Sequence, residues 1–247
     1  MSEFSNEPMV PSEGSAMSMT DTWISAVTKP NVATFTKIAA QPGATTSKAL
    51  LWVFVASLVT SFATFIAQAI NAGGQMGFLR QFLPPEIARD LPLGGAPSFG
   101  FGTVICGAPV AAIFAVLGFL IGTGLIQWVA KLFGGTGSFD KLAYTFSAIT
   151  VPFSVVTAVL TLIGIIPIIG ILTGLVSFAL SIYVIVLEVF AVQAVNRLTT
   201  GKAVGAVLLP ALAIFLLVCC CVILSVFALG PVIGNVFDSI NQSLGGF

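Results

Sequence analysis

Residues 142–187 form a run of 46 positions without a charged side chain. A single helix of that length would measure about 69 Å, because a helix rises 1.5 Å per residue. The hydrocarbon core of a bilayer is only about 30 Å thick, so we expect the run to cross it twice. Glycine and proline between Gly164 and Gly170 are signals for the break. We therefore predict spans over residues 143–163 and 171–195.

Three further apolar segments are long enough to cross a membrane. They cover residues 49–70, 103–130 and 204–229. Charged residues make up 7% of the chain, against about 25% in a typical soluble domain, and the mean hydropathy is +1.09. This composition predicts an all-α membrane protein, a five-span helical bundle in contact with the lipid bilayer.

The segments outside the predicted spans have a different character. Residues 1–20 are polar and predict a flexible tail. In residues 21–48, apolar side chains recur at helical spacing and predict a short amphipathic helix in the membrane interface, with a simple linker as the alternative. The first outer loop, around Pro84 and Pro85, and the tail 230–247 also read as amphipathic. These two segments could rest on the outer leaflet, pack against each other, or dock a partner subunit.

The distribution of basic residues predicts the orientation. Seven Lys and Arg residues fall on the side that holds the N-terminal segment, and only Arg80 and Arg89 fall on the other. The positive-inside rule then places the N-terminus in the cytoplasm and the C-terminus outside, in the cytoplasmic membrane if the chain is bacterial. An interfacial aromatic belt on the cytoplasmic side is expected from Trp23, Trp52, Trp128 and Tyr144.

The composition argues against most enzyme chemistry. There is no histidine, so histidine-based acid–base catalysis and most zinc sites are excluded. Three of the four cysteines are adjacent, at positions 219–221, and neighbours on a helix diverge too far to bind one metal. Zero net charge offers no field for nucleic acid. We expect no catalytic set, no cofactor, no metal and no nucleic-acid partner.

Glu188 is the one acidic residue within a predicted span. Intramembrane carboxylates are costly and usually mark function, so we expect it to face the bundle and to be protonated or paired. Other polar or helix-breaking residues lie at a similar depth, and together they predict a buried polar cluster: Glu188, Pro152, Pro210, Thr150 and Gln193. Three roles remain open: a hydrogen-bonded clasp between helices, a proton or ion site, and a contact with lipid or a partner.

Gly118 and Gly122 form a small-x-x-x-small pair in the second span. Such pairs allow two helices to approach closely in a membrane. The pair therefore predicts a helix-packing position.

Two loops carry a resemblance to a known family. Residues 134–139 read Gly-Gly-Thr-Gly-Ser-Phe and precede a helix with Pro152, and residues 197–203 read Arg-Leu-Thr-Thr-Gly-Lys-Ala. Together with Trp23, Lys29-Pro30 and Phe35 ahead of the first span, they resemble bacterial Yip-domain membrane proteins over residues 21–230.

The resemblance implies a five-span membrane domain with a cytoplasmic N-terminus. Eukaryotic relatives are partners of Rab-type GTPases, but their Asp-Leu-Tyr-Gly-Pro signature and their Gly-Tyr motif have no counterpart here. Rab binding is therefore not carried over, and the resemblance supplies no catalytic residues.

These observations favour a non-enzymatic membrane scaffold or accessory subunit that binds other membrane proteins or itself. The alternative is a small transporter or channel that uses Glu188 as a proton or ion site.

Overall fold

The computed structural model describes residues 17–82 and 101–244, which contain seven helices and no strand. The helices are α1 (Met19–Thr28), α2 (Val32–Ala39), α3 (Thr46–Phe82), α4 (Phe101–Leu132), α5 (Phe139–Ile163), α6 (Pro167–Asn196) and α7 (Thr200–Leu244). The predicted all-α, five-span bundle is confirmed: in the described part of the chain, α3 to α7 are each long and apolar enough to cross a membrane.

The turn predicted between Gly164 and Gly170 is present and tight. Helix α5 ends at Ile163 and α6 begins at Pro167, where the proline suits the first turn of a helix. A Cβ on Gly164 would lie 2.8 Å from the Thr173 hydroxyl oxygen, and one on Gly170 would lie 2.9 Å from the Gly164 carbonyl oxygen. Only glycine allows the two helices to approach this closely.

The last helix is longer than predicted. Helix α7 has 45 residues and measures about 68 Å at 1.5 Å per residue, more than twice the thickness of a bilayer core. The amphipathic tail predicted from residue 230 onward is a continuation of α7 as far as Leu244. The other predicted amphipathic segment, around Pro84 and Pro85, lies outside the described residues.

Two short helices precede the spans where one was predicted. The Ser18 hydroxyl caps α1 by accepting from the Asp21 amide at 3.1 Å, and the Asn31 side chain caps α2 by accepting from the Thr34 amide at 2.8 Å. Phe35 in α2 is completely buried, because α2 packs against α5 and α6 while α1 packs against α5. The bundle therefore covers the apolar face of α2 and part of that of α1, where Ile24 stays 60% exposed.

The centre of the molecule is the first half of α5. Residues 142–149 are all buried, since α5 contacts α1, α2, α3, α4 and α6. One end of the bundle, which we call the N-terminal end, holds α1, α2, the connection 133–138 and the connection 197–199. The opposite end is called the far end.

Candidate functional site at the N-terminal end of the bundle

A buried hydrogen-bonded network joins α4, the α4–α5 connection and α6. The Gln127 side-chain amide donates to the Gly137 carbonyl at 2.8 Å, and the Asn196 amide donates to the Gln127 side-chain oxygen at 3.1 Å. The Thr136 backbone N–H donates to the Asn196 carbonyl at 3.2 Å. We call Gln127, Thr136, Gly137 and Asn196 the clasp, because these bonds tie together the ends of α4 and α6 and the loop between α4 and α5.

Glycine is required where the loop meets the end of α6. A Cβ on Gly137 would lie 2.5 Å from the Val195 carbonyl oxygen, and a Cβ on either Gly135 or Gly137 would lie 2.9 Å from the Asn196 side-chain oxygen. No donor among the described residues bonds to that buried oxygen, and the Cβ positions direct one Cα hydrogen of each glycine toward it. The loop can lie flat on α6 only because both positions lack a side chain.

The connection after α6 also needs an unusual backbone. Arg197 has a φ of 56° and occupies the left-handed region that non-glycine residues rarely adopt. It directly follows Asn196 and ends α6. This conformation turns the chain into α7 within three residues.

Aromatic side chains form a second group beside the clasp. The Trp23 and Trp52 rings meet edge to face with centroids 5.3 Å apart, and Trp52 and Tyr144 have centroids 5.1 Å apart. The Lys48 ammonium lies 5.3 Å from the Trp52 centroid and 5.8 Å from that of Tyr144, within the range of a cation–π interaction. We call these four residues the aromatic cluster.

Polar bonds attach the N-terminal helices to the bundle. The Tyr144 hydroxyl donates to the Gln41 side-chain oxygen at 3.1 Å, and the Gln41 amide donates to the Thr22 hydroxyl at 3.1 Å. The Tyr183 hydroxyl donates to the Val27 carbonyl at 2.7 Å. Tyr183 thereby holds α1 to α6, and Tyr144 holds Gln41, just after the end of α2, to α5.

The predicted interfacial aromatic belt divides in the structure. Trp23, Trp52 and Tyr144 pack against one another inside the aromatic cluster, whereas Trp128 is 62% exposed on α4. The sequence places all four at the same end, but it does not show that three of them pack against one another while Trp128 stays exposed.

The predicted buried polar cluster is not linked by hydrogen bonds within the described residues. Thr150 donates to the Phe146 carbonyl of its own helix at 2.9 Å, and Gln193 donates to the Thr200 hydroxyl at 3.2 Å. Glu188 is half-buried and makes no hydrogen bond or ion pair there. Pro152 is half-buried in α5.

Pro210, the fifth predicted member, is buried and lines an apolar cavity of about 390 Å³ between α4 and α7. In the part of the chain that the structure describes, Pro210 shares no hydrogen bond with Glu188.

The predicted helix-packing pair has no packing partner within the described chain. A Cβ added to Gly118 or Gly122 would have no neighbour within 4 Å. The close approaches are made by other glycines: Gly107 lies against the Phe65 ring, and Gly205 lies against the Phe133 ring, with added Cβ atoms at 2.9 Å and 3.2 Å from those rings.

The residues of the clasp were missed by sequence reasoning. Gln127 and Asn196 each lie within the last turns of an apolar span. An isolated amide in a membrane span usually hydrogen-bonds across helices, so this was a usable signal. Their pairing, 69 positions apart in the chain, was not readable from sequence.

The contacts at the N-terminal end join separate elements of the chain. Among the described residues no group of three or more His, Cys, Asp or Glu residues could hold a metal ion. The side-chain amides and backbone groups of the clasp bond one another, and the aromatic cluster carries one cation over two rings. These contacts attach loops and short helices to the membrane-spanning core.

Comparison with known proteins agrees with the resemblance carried by the two loops. The model of the Yip1 domain matches residues 24–230, most of the chain. No curated protein and no solved structure matches the chain. The Yip1 domain family is not a known enzyme family. The match covers α2 to α6 entirely, with half of α1 and most of α7, and so includes the clasp and, except for Trp23, the aromatic cluster. The chain is an integral membrane protein that belongs to the Yip1 domain family.

Proposed function

We propose that the protein is a non-enzymatic membrane scaffold or accessory subunit, which binds a second copy of itself or another membrane protein through α4. Its N-terminal end faces the cytoplasm, in line with the excess of basic residues there. The observation that carries the proposal is a strip of small residues on α4 with empty space around it.

Helical spacing places the members of this strip on one face, and we call it the α4 strip: Ala111, Ala115, Gly118 and Gly122. Gly118 is exposed, and an added Cβ at Gly118 or Gly122 would meet nothing. Phe114 and Ile121, which flank the strip, are 68% and 64% exposed.

Small residues at this spacing allow the backbones of two membrane helices to touch. No helix among the described residues packs against Gly118 or Gly122 in this way, so a helix from outside is the partner that fits. The large side chains of Phe114 and Ile121, which helical spacing places on one side of the strip, would then pack against that helix. Because lipid gives no hydrophobic driving force between helices, such close packing is what holds them together.

The polar side chains of the described residues support the same function. The clasp and the tyrosine bonds join parts of this chain to one another. They make the N-terminal end a fixed frame that presents α4 to its surroundings.

A pair of matched glycine substitutions tests the proposal. Gly118→Leu fills the α4 strip. Gly124→Leu is the control, because an added Cβ at Gly124 also meets nothing and helical spacing places it on a different face. We expect Gly118→Leu to abolish self-association in lipid nanodiscs or recovery of a stoichiometric partner from native membranes. Gly124→Leu is expected to keep both.

The proposal is overturned if the wild-type protein is a solitary monomer in all lipids and detergents, or if the two leucine variants behave alike. Monodisperse elution of each variant in detergent shows that folding is intact.

A second candidate function, a small transporter or channel, is favoured by Glu188 alone. A half-buried carboxyl in a span with no hydrogen-bond partner in the described part of the chain is a costly feature. Proton or ion flux in proteoliposomes that disappears in Glu188→Gln, with assembly unchanged, would support it. If the wild-type protein shows no flux, this second candidate function is excluded.

A further inference from the structure

The cavity between α4 and α7 has apolar walls and a cation at one end. Its volume is about 390 Å³, within the range of roughly 300–1,000 Å³ typical of small-molecule sites. Six side chains form most of its walls: Leu125, Trp128 and Leu132 from α4, and Leu209, Ala213 and Ile214 from α7. None of these side chains carries a charge, and the only polar atom among them is the Trp128 indole nitrogen.

Lys202 lies at the end of this cavity nearest the loops. Its ammonium group donates to the Phe133 carbonyl at 3.1 Å, and Phe133 itself lines the cavity. Lys202 also precedes Leu209 and Ala213 by seven and eleven residues, which places it on the same face of α7. The ammonium therefore lies where the apolar walls meet the N-terminal end.

Part of the bonding capacity of Lys202 is unused. An ammonium group has three donors, and one is taken by the Phe133 carbonyl. Lys202 is exposed, as is Lys131 near the end of α4. Donors of this kind, next to an apolar groove at a helix end, match a phosphate group attached to a hydrocarbon chain.

The charge around the groove selects anionic ligands. Among the described residues the N-terminal end holds seven basic side chains, namely Lys29, Lys37, Lys48, Lys131, Lys141, Arg197 and Lys202, against the acidic Asp21 and Asp140. Basic residues near a membrane surface attract anionic lipids by about 1 kcal/mol each.

We propose that this groove, which we call the α4–α7 groove, binds one anionic phospholipid, with its phosphate on Lys202 and an acyl chain against Trp128. The site lies on a different part of α4 from the α4 strip and does not depend on the proposed function.

Trp128 supplies a direct readout. Trp52 is 5% exposed and Trp23 is half-buried, so the fluorescence difference between the wild-type protein and Trp128→Phe isolates the tryptophan in the groove. The full chain is reconstituted in phosphatidylcholine nanodiscs that contain increasing fractions of a lipid with brominated acyl chains. Bromine quenches an indole that it touches. The two brominated lipids compared are phosphatidylglycerol and phosphatidylcholine with identical chains.

We expect Trp128 to be half-quenched at an about fivefold lower fraction of brominated phosphatidylglycerol than of brominated phosphatidylcholine, the factor that one basic contact provides. Lys202→Gln should remove this preference, and Lys202→Arg should keep it. Lys141→Gln is the matched control, since Lys141 is an exposed lysine at the same end outside the groove, and it should keep the preference.

A groove-filling variant tests the acyl chain separately from the charge. Ala213→Phe leaves Lys202 in place and should abolish the preferential quenching. Equal quenching by the two lipids in the wild-type protein overturns the proposal, and so does a preference that survives Lys202→Gln. A Trp128 that neither lipid quenches also overturns it, because a second copy or another protein then covers the groove.

Discussion

The two halves of α5 differ although they belong to one helix. Residues 142–149 are buried without exception, whereas Val155, Val156 and Val159 are about half exposed. The buried half contains as many polar side chains, Tyr144, Thr145 and Ser147, as the exposed half, which contains Ser154, Thr157 and Thr161. Burial in this protein therefore follows the neighbours that surround a segment and not the apolar character of the segment itself.

Hydrogen bonding divides the molecule in the same way. At the N-terminal end, side chains bond across elements, as in the pairs Gln127–Asn196 and Tyr144–Gln41. In the second half of α5, the Thr157 and Thr161 hydroxyls donate to carbonyls of their own helix. The N-terminal end holds the elements together, and the other half of α5 contributes mainly a surface for lipid or a partner.

The largest effect is expected from a methyl group at the clasp. Gly137→Ala places a Cβ 2.5 Å from the Val195 carbonyl oxygen, and neither backbone can move without breaking the clasp. We expect the free energy of unfolding to fall by about 3 kcal/mol, measured by denaturant titration in mixed micelles.

Gly118→Ala is the matched control on the outer face of α4, where the added Cβ meets nothing. It should be neutral, or stabilise the helix by about 0.5 kcal/mol. If both variants lost the same free energy of unfolding, the packed N-terminal end would not differ from the exposed face of α4.

Removing a glutamine should lower stability more in the clasp than on the exposed surface. Gln127→Ala leaves the Gly137 carbonyl and the Asn196 amide without a partner in a buried site, which should reduce the free energy of unfolding by about 1–2 kcal/mol.

Gln193→Ala removes an exposed bond to Thr200 and should change stability by less than about 0.5 kcal/mol. The same titration compares the two variants. A Gln193→Ala variant that loses as much as Gln127→Ala would show that the clasp has no special role.

The tyrosine bonds should control how firmly the N-terminal helices are held. Tyr144→Phe and Tyr183→Phe each remove one hydroxyl bond, to Gln41 and to the Val27 carbonyl respectively. Each should cost about 0.5–1.5 kcal/mol, and amide hydrogen exchange should speed up in α1 and α2.

Thr161→Val is the control, because it removes only a bond within the exposed half of α5. Exchange in α1 and α2 should be unchanged in this variant. Faster exchange in all three variants would indicate a general loss of stability instead.

The smallest effect concerns the cation of the aromatic cluster. Lys48→Met removes a charge that lies 5.3 Å from the Trp52 centroid and should cost about 0.5 kcal/mol. Tryptophan emission should shift, since Trp52 loses its charged neighbour. Lys37→Met, at an exposed position, should leave the emission unchanged, and a shift of equal size there would refute the assignment.

Much of the fold was predictable because it depends on local quantities. Charge-free segments and glycine–proline signals predicted five spans, and the turn between α5 and α6 falls where they indicated. The site was less predictable. Glu188 stood out by its charge, yet no hydrogen bond in the described residues links it to Thr150 or Gln193, while the clasp depends on Gln127 meeting Asn196.

Sequence alone determined that this chain crosses a membrane, how often it does so, and which end carries the basic residues, because hydropathy, length and charge are sums over neighbouring positions. Only the tertiary structure decided that Trp23 packs against its neighbours while Trp128 is exposed. It also decided that a Cβ at Gly137 would clash with the backbone while one at Gly118 would meet nothing. Those outcomes depend on which distant residues come within a few ångströms. Helix packing sets such distances, and a single apolar sequence pattern is compatible with many packings.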